Sequence, residues 1–152
     1  MSTRINVLLA AYNGKQFIAQ QLQTILNQTH KPCKILINID LSTDETVAIV
    51  EGYATKSSEI EILSSNKRFG SSAANFIYLL LNTNLSNTDY IALADQDDLW
   101  NEDKLDKAIQ KLQQGYGGYS SNVEAFWEDG RKKILEKNQS QQNFDHLFES
   151  AG

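Results

Sequence analysis

Residues 90–100 read YIALADQDDLW. An apolar run from Tyr90 to Ala94 stops at Asp95-Gln96-Asp97-Asp98, and Leu99 and Trp100 follow. The run has the length and character of a strand buried within a sheet. Three carboxylates within four residues repel one another, and each is costly to desolvate. Their position makes sense if the strand carries them to an edge where a positive charge meets them.

The same strand-then-polar pattern recurs upstream. INVLLAA (5–11) is a nearly continuous apolar run broken by Asn13-Gly14. The next segment, 15–28, sets Ile18, Leu22, Ile25 and Leu26 at helical spacing. KILINID (34–40) reads as a second strand. Ser42 and Glu45 form an S-x-x-E capping box for a helix with Val47, Val50 and Ala54 on one face. EIEIL (59–63) is a third strand, and 64–72 a polar loop ending at Ser72, which would cap a helix with Ala73, Ile77 and Leu80 inward. After the 90–94 run, Asn101 is the expected cap, with Glu102 and Asp103 in the first turn and Leu105, Ala108, Ile109 and Leu112 as the apolar stripe.

Strands alternating with helices over residues 4–114 predict an α/β fold with a doubly wound, mostly parallel sheet. After Gly115-Tyr116-Gly117-Gly118 the pattern changes. Glu128-Asp129-Gly130 between two short strands predicts a C-terminal hairpin. FDHLF (144–148) reads as a helix start with Phe144, Leu147 and Phe148 on one side. The expectation is one domain over 1–152, with its core in 4–114 and the hairpin and helix start in 115–152.

Composition narrows the classes. The 41% apolar and 22% charged residues are ordinary for a globular chain. A net charge of −5 argues against nucleic acid as a partner. Cys33 is the only cysteine, so an internal disulfide and a cysteine-based zinc site are excluded. It reads as a small buried apolar residue, and the composition fits a reducing, cytoplasmic setting. His30 and His146 have no metal-ligand spacing. No segment has the length of a transmembrane span or the form of a signal peptide.

In open α/β sheets, ligands bind outside the carboxyl ends of the strands. Here those ends carry Tyr12, Asp40, the Asn66-Lys67-Arg68 segment and Asp95 to Asp98. Tyr12 offers a ring on which a base could stack, and Asp40 an acceptor for base or ribose. The acidic cluster suits a hard divalent cation. Each has a plain alternative: Tyr12 as rim packing, Asp40 as a turn residue, Lys67 and Arg68 as a solvated loop, Asp98 and Asp103 as helix-start residues.

VLLAAYNG (7–14), INIDLSTDET (37–46), NKRFGSSAANF (66–76) and YIALADQDDLWNEDKL (90–105) resemble, in order, the family-2 inverting glycosyltransferases of the GT-A fold. DQDDLW is most similar to the rhamnosyltransferase-like branch that builds bacterial surface polysaccharides. The resemblance implies that Ala11 and Tyr12 meet the nucleobase and that Asp40 hydrogen-bonds it. It puts Asn66 and Lys67 in the loop beside the nucleotide. Asp95 and Asp97 fall on the family's D-x-D, whose second carboxylate holds Mg²⁺ or Mn²⁺ on the donor diphosphate.

The implied donor is a nucleoside-diphosphate sugar, with dTDP-rhamnose the branch's suggestion. The implied acceptor is a glycan or a lipid-linked glycan, which would place the protein at the inner membrane face. One motif departs: where the family has D-D-G-S, this chain has Ile39-Asp40-Leu41-Ser42. The resemblance also puts the catalytic base and acceptor site in a C-terminal half beyond residue 152, so no catalytic residue is assigned. The expectation is a shortened chain that binds donor without transferring it, and whose uncovered apolar surface favours homo-oligomers. Glu128, Asp129 and His146 are poor substitutes for the base. Two other classes stay open: a nucleotide-binding module without turnover, and a metal-dependent phosphoryl or nucleotidyl transferase. The second is disfavoured by the lack of a G-x-x-x-x-G-K-[ST] loop.

Overall fold

The computed structural model describes residues 3–63, 67–127 and 129–137. The expected helix start at 144–148 lies outside them. The chain divides into two compact units, Met1–Gln110 and Lys111–Gly152.

The first unit is built on four parallel strands: β1 (Ile5–Ala11), β2 (Lys34–Ile39), β3 (Ile60–Leu63) and β4 (Tyr90–Asp95). They lie in the order β3-β2-β1-β4. The helices α1 (Ile18–Leu26), α2 (Thr46–Ala54), α3 (Ser72–Asn82) and α4 (Lys104–Leu112) alternate with them. The predicted doubly wound sheet is therefore present. Because β2 and β3 extend to one side of β1 and β4 lies on the other, the strand order reverses between β1 and β4. In open α/β sheets such a reversal marks where ligands bind, here outside the carboxyl ends of these two strands.

Period-two alternation sends each strand's residues to two faces. One face carries Ile5, Val7, Leu9 and Ala11 with Ile35, Ile37, Ile60 and Ala94; it packs with Ile18, Leu22, Ile25, Val50, Trp100, Leu105 and Ile109. The other carries Leu8, Ala10 and Leu36 under Leu79 and Phe76 of α3. Helices thus cover both faces of β1, which explains its seven consecutive buried residues.

The burial of β4 corrects the reading of residues 90–94 as a fully buried strand. Ile91 and Leu93 are 39% and 53% exposed. By register Leu93 sits beside Leu8, on the face that α3 covers, but it lies on the edge strand. Its neighbour Ala94, opposite Leu9, is fully buried.

Four helix details differ from the sequence reading. The Ser42–Glu45 capping box does not form. Ser42 instead donates to the Asp40 carbonyl, and the Thr46 amide donates to Asp44 Oδ1 at 3.0 Å. The inward residues of α2 are Thr46 and Val50, while Val47 is exposed. In α3, Ser71 rather than Ser72 caps the helix, accepting from Ala74 N–H at 3.2 Å. The inward residues of α3 are Asn75 and Leu79, not Ala73, Ile77 and Leu80. The physical reason is a polar pair: Asn38 Nδ2 donates to Asn75 Oδ1 at 2.7 Å, and Asn75 Nδ2 to the Asn38 carbonyl at 3.2 Å. Cys33, expected to be buried, is exposed just ahead of β2.

The second unit holds the predicted hairpin. β5 (Val123–Phe126) and β6 (Lys132–Leu135) pair antiparallel, from Val123 opposite Leu135 to Phe126 opposite Lys132. Gly130 adopts φ +84 in the turn, a conformation that costs glycine least. Lys132 pairs with Glu124 at 2.8 Å, and the Arg131 guanidinium lies 5.3 Å from the Trp127 ring centroid.

Candidate functional site

Four loops leave the carboxyl ends of the strands, and their own polar groups tie them together. Residues 12–15 follow β1. Asn13 takes φ +45, a left-handed conformation that asparagine tolerates better than most residues. Its Oδ1 accepts from Thr43 N–H at 2.8 Å, and its own N–H donates to Ser42 Oγ at 3.0 Å. Gly14 N–H donates to Thr46 Oγ1 at 2.7 Å, and Lys15 N–H to Asp44 Oδ2 at 3.0 Å. The loops after β1 and β2 are thereby stitched to each other.

Asp40, the first residue after β2, is 4% exposed. Its N–H donates to the Ala11 carbonyl at 2.8 Å. Its carboxylate Oδ1 accepts from Leu41 N–H at 2.7 Å and Phe69 N–H at 2.9 Å, while Oδ2 accepts from Gly70 N–H at 3.0 Å. Burial pushes the Asp40 carboxyl up, but these three amides and the charge of Arg68 outweigh it and hold it below its ordinary value. Gly70 reaches the carboxylate with φ +72. Phe69 packs on Tyr78 with ring centroids 5.0 Å apart. Asp40 is thus a clamp on the loop that enters α3. Lys67 and Arg68 are exposed in that loop, and Asn66 lies outside the described residues.

The acidic stretch after β4 is held from below. Trp100 is 4% exposed within the core, and its backbone N–H donates to Thr24 Oγ1 at 3.2 Å. Buried Gln28 takes over the capping expected of Asn101: its Oε1 accepts from Leu105 N–H at 3.0 Å, and its Nε2 donates to the Asn101 carbonyl at 2.7 Å. Partial burial pushes the Asp95 carboxyl up, and Asp98 and Asp97 push it further. Burial raises Asp98 as well, and Lys104 opposes that rise. The Lys104 ammonium lies 4.1 Å from the Trp100 ring centroid. Burial lowers the Lys104 pKa, with Asp98 and Asp95 working against that shift. The acidic cluster therefore carries a resident counter-charge, one that sequence reading missed.

Tyr12 follows β1 and is 45% exposed. The Gln96 side chain accepts from Tyr12 N–H at 2.6 Å and donates to the Tyr12 carbonyl at 2.7 Å. Hydrogen bonds therefore link Tyr12 to the 95–98 loop, and Ala11 to Asp40. Asp97 is exposed. Among the described residues, no group of three or more His, Cys, Asp or Glu side chains is gathered to hold a metal ion. An exposed carboxylate at Asp97 and a half-buried one at Asp95 fit a hard cation that takes one or two carboxylates and completes its shell with phosphate oxygens and water.

The sequence matches Glycosyl transferase family 2 across residues 6–149. The chain belongs to that family. It is 43% identical over 146 residues to the dTDP-rhamnosyl transferase RfbG of Shigella flexneri, covering 95% of this chain and 50% of that protein. It is 31% identical over 109 residues to an Escherichia coli enzyme, WfaP, named as a UDP-Glc:alpha-D-GlcNAc-diphosphoundecaprenol beta-1,3-glucosyltransferase; that covers 72% of this chain and 41% of WfaP. The chain thus spans half, or less, of the length of these relatives.

Solved structures agree on the fold. S. aureus TarS 1–349 in complex with UDP superposes with a TM-score of 0.60 at 20% identity, covering 85% of this chain and 43% of that one. The mannosyltransferase PcManGT from Pyrobaculum calidifontis, in complex with GDP-Man and Mn²⁺, gives 0.61 at 24% identity, covering 74% of this chain and 33% of that one. The fold is that of the GT-A glycosyltransferases. Among the described residues, no helix is long and apolar enough to cross a membrane.

Proposed function

We propose that this chain forms the donor-binding part of an inverting, metal-dependent glycosyltransferase that takes a sugar from a nucleoside diphosphate. The support for the proposal is that Tyr12 and the Asp95–Asp97 pair follow β1 and β4, the two strands between which the order reverses, while Asp40 follows the adjacent β2 and is hydrogen-bonded to Ala11. The Tyr12 ring offers a stacking face for the base. Asp40 uses three of its roughly four acceptor positions on its own backbone. A base donor would take the one left on Oδ2. Lys67 stands exposed in the loop clamped by Asp40, where a cation would face phosphate.

Asp97, with Asp95 behind it, would hold Mg²⁺ or Mn²⁺, which when bound neutralises charge on the departing diphosphate. Gln96 holds both Tyr12 backbone groups and Asp40 holds the Ala11 carbonyl just before them, so the base would be met by a surface already formed. An inverting transfer also needs a base for the acceptor hydroxyl. Asp129 does not suit that role: its carboxylate is bound within its own turn by Arg131 Nε at 2.6 Å. Glu128 and His146 lie outside the described residues.

The 43% identity to a protein named as a dTDP-rhamnosyl transferase favours dTDP-rhamnose as donor. The surface-glycan acceptor rests on the resemblance of residues 95–100 to the rhamnosyltransferase-like branch alone. Calorimetry with dTDP, UDP and GDP, with and without Mn²⁺, tests the reading. Metal-dependent binding with dTDP preferred is the expected result. Failure of all three nucleotides to bind in Mn²⁺ would refute it.

A further inference from the structure

The last residue pair in the β1–β4 ladder is Ala10 opposite Asp95. Past that point the backbones part, and no strand joins the loop bearing Tyr12 to the loop bearing Asp97. The Gln96 side chain fills the gap. A primary amide carries an acceptor and donors, as a peptide group does. The Gln96 amide accepts from Tyr12 N–H at 2.6 Å and donates to the Tyr12 carbonyl at 2.7 Å. It thus acts as one more rung between two strands that have already separated.

Gly14 makes the room. A Cβ placed on Gly14 would collide with Gln96 Oε1 and stand 2.7 Å from its Cδ. The three nearest heavy atoms all belong to Gln96, the third at 3.3 Å. A side chain at 14 would therefore force the flexible Gln96 amide out of this seat, although the Gly14 backbone itself is not left-handed.

We propose that Gln96 is a positioning residue: its amide, seated against Gly14, fixes the spacing between the Tyr12 ring that receives the base and the Asp97 carboxylate that serves the diphosphate. This rests on the donor-binding reading above. Gln96 touches neither base nor phosphate in this scheme. It sets the distance between two contacts that one ligand must make at once, which is an effective-concentration effect.

The test compares two probes in Mn²⁺: inorganic pyrophosphate, which needs only the metal end, and whichever of dTDP, UDP or GDP the wild-type chain binds best. Gln96→Met keeps the volume and removes both hydrogen bonds. It should weaken nucleoside-diphosphate binding roughly tenfold or more, the worth of two neutral hydrogen bonds, and leave pyrophosphate binding within about twofold. A merely structural role would weaken both probes together, and that outcome overturns the proposal. Equal nucleotide affinity in wild type and Gln96→Met overturns it too, while leaving the donor-binding reading intact. Failure of the wild-type chain to bind any nucleotide overturns both.

A second arm does not depend on how Gln96→Met folds. Gly14→Ala alone should weaken nucleotide binding by a similar factor. In a Gln96→Ala background, adding Gly14→Ala should change it by no more than about twofold, because the colliding atoms are gone. An equal penalty for Gly14→Ala in both backgrounds would refute the coupling.

Discussion

Replacing Asp40 by Asn tests the clamp at the centre of the site. The buried carboxylate accepts three backbone amides, two on Oδ1 and one on Oδ2. Asparagine has nearly the same shape but a single acceptor oxygen. With that oxygen at the Oδ1 position, its NH₂ faces the Gly70 N–H, donor against donor. One charge-assisted bond is lost, and the other two weaken to neutral strength. Bonds to a charged group contribute about 1.5–3 kcal/mol and neutral ones about 0.5–1.5 kcal/mol. Asparagine escapes part of the cost of burying a charge, so the net loss should be roughly 2–3 kcal/mol at pH 7.

Urea unfolding should show this as a lower midpoint with an unchanged slope. The pH dependence gives a second check. Burial raises the Asp40 pKa, but the amides of Phe69, Gly70 and Leu41 and the charge of Arg68 lower it further, so the folded value lies below the unfolded one. Such a group contributes stability above its unfolded pKa of about 3.9, and that contribution disappears as pH falls through the lower folded value. The gap between wild type and Asp40→Asn should therefore be full at neutral pH and close below about pH 3.9. Amide exchange at Phe69 and Gly70 should quicken in the variant. No gap at pH 7, or a gap that persists undiminished to strong acid, would refute the reasoning.

Tyr12→Ala should weaken nucleotide binding by roughly 1–3 kcal/mol and Tyr12→Phe by much less, because stacking uses the ring; equal losses by calorimetry would contradict stacking. Asp97→Ala should abolish the Mn²⁺ dependence of nucleotide binding with an unchanged melting curve, and retained Mn²⁺ dependence would remove Asp97 from the metal role. Gly70→Ala meets open space at the added Cβ, yet φ +72 is strained for alanine. It should cost about 1–2 kcal/mol in urea unfolding, and a neutral result would mean that the loop can rearrange without losing the clamp. Trp100→Ala empties a core position beneath the acidic loop and should cost about 3–5 kcal/mol; a loss under about 1 kcal/mol would show that the loop does not depend on it.

The sequence by itself determined the order of elements, the parallel sheet and the polar loops at the carboxyl ends of its strands. Those are local signals. Apolar runs, helical spacing and the breaks at Asn13-Gly14 and Asp95–Asp98 depend on neighbours in the chain, and they were legible as such. Tertiary structure decided which face each ambiguous element turns inward. Helix α3 is apolar nearly all round, so its period could not choose between Ile77-Leu80 and Asn75-Leu79. The buried Asn38–Asn75 pair chose, across 37 residues of sequence. Residues 90–94 read as buried, but only neighbours in space could show that β4 is an edge. Asp40 was visible as a carboxylate after a strand, but not as a clamp on amides about 30 residues away. Gln96, the unmarked middle of D-x-D, gains its role only because the fold sets it 84 residues away against Tyr12. Hydrogen bonds of that kind satisfy groups distant in the chain, and no local period in the sequence records them.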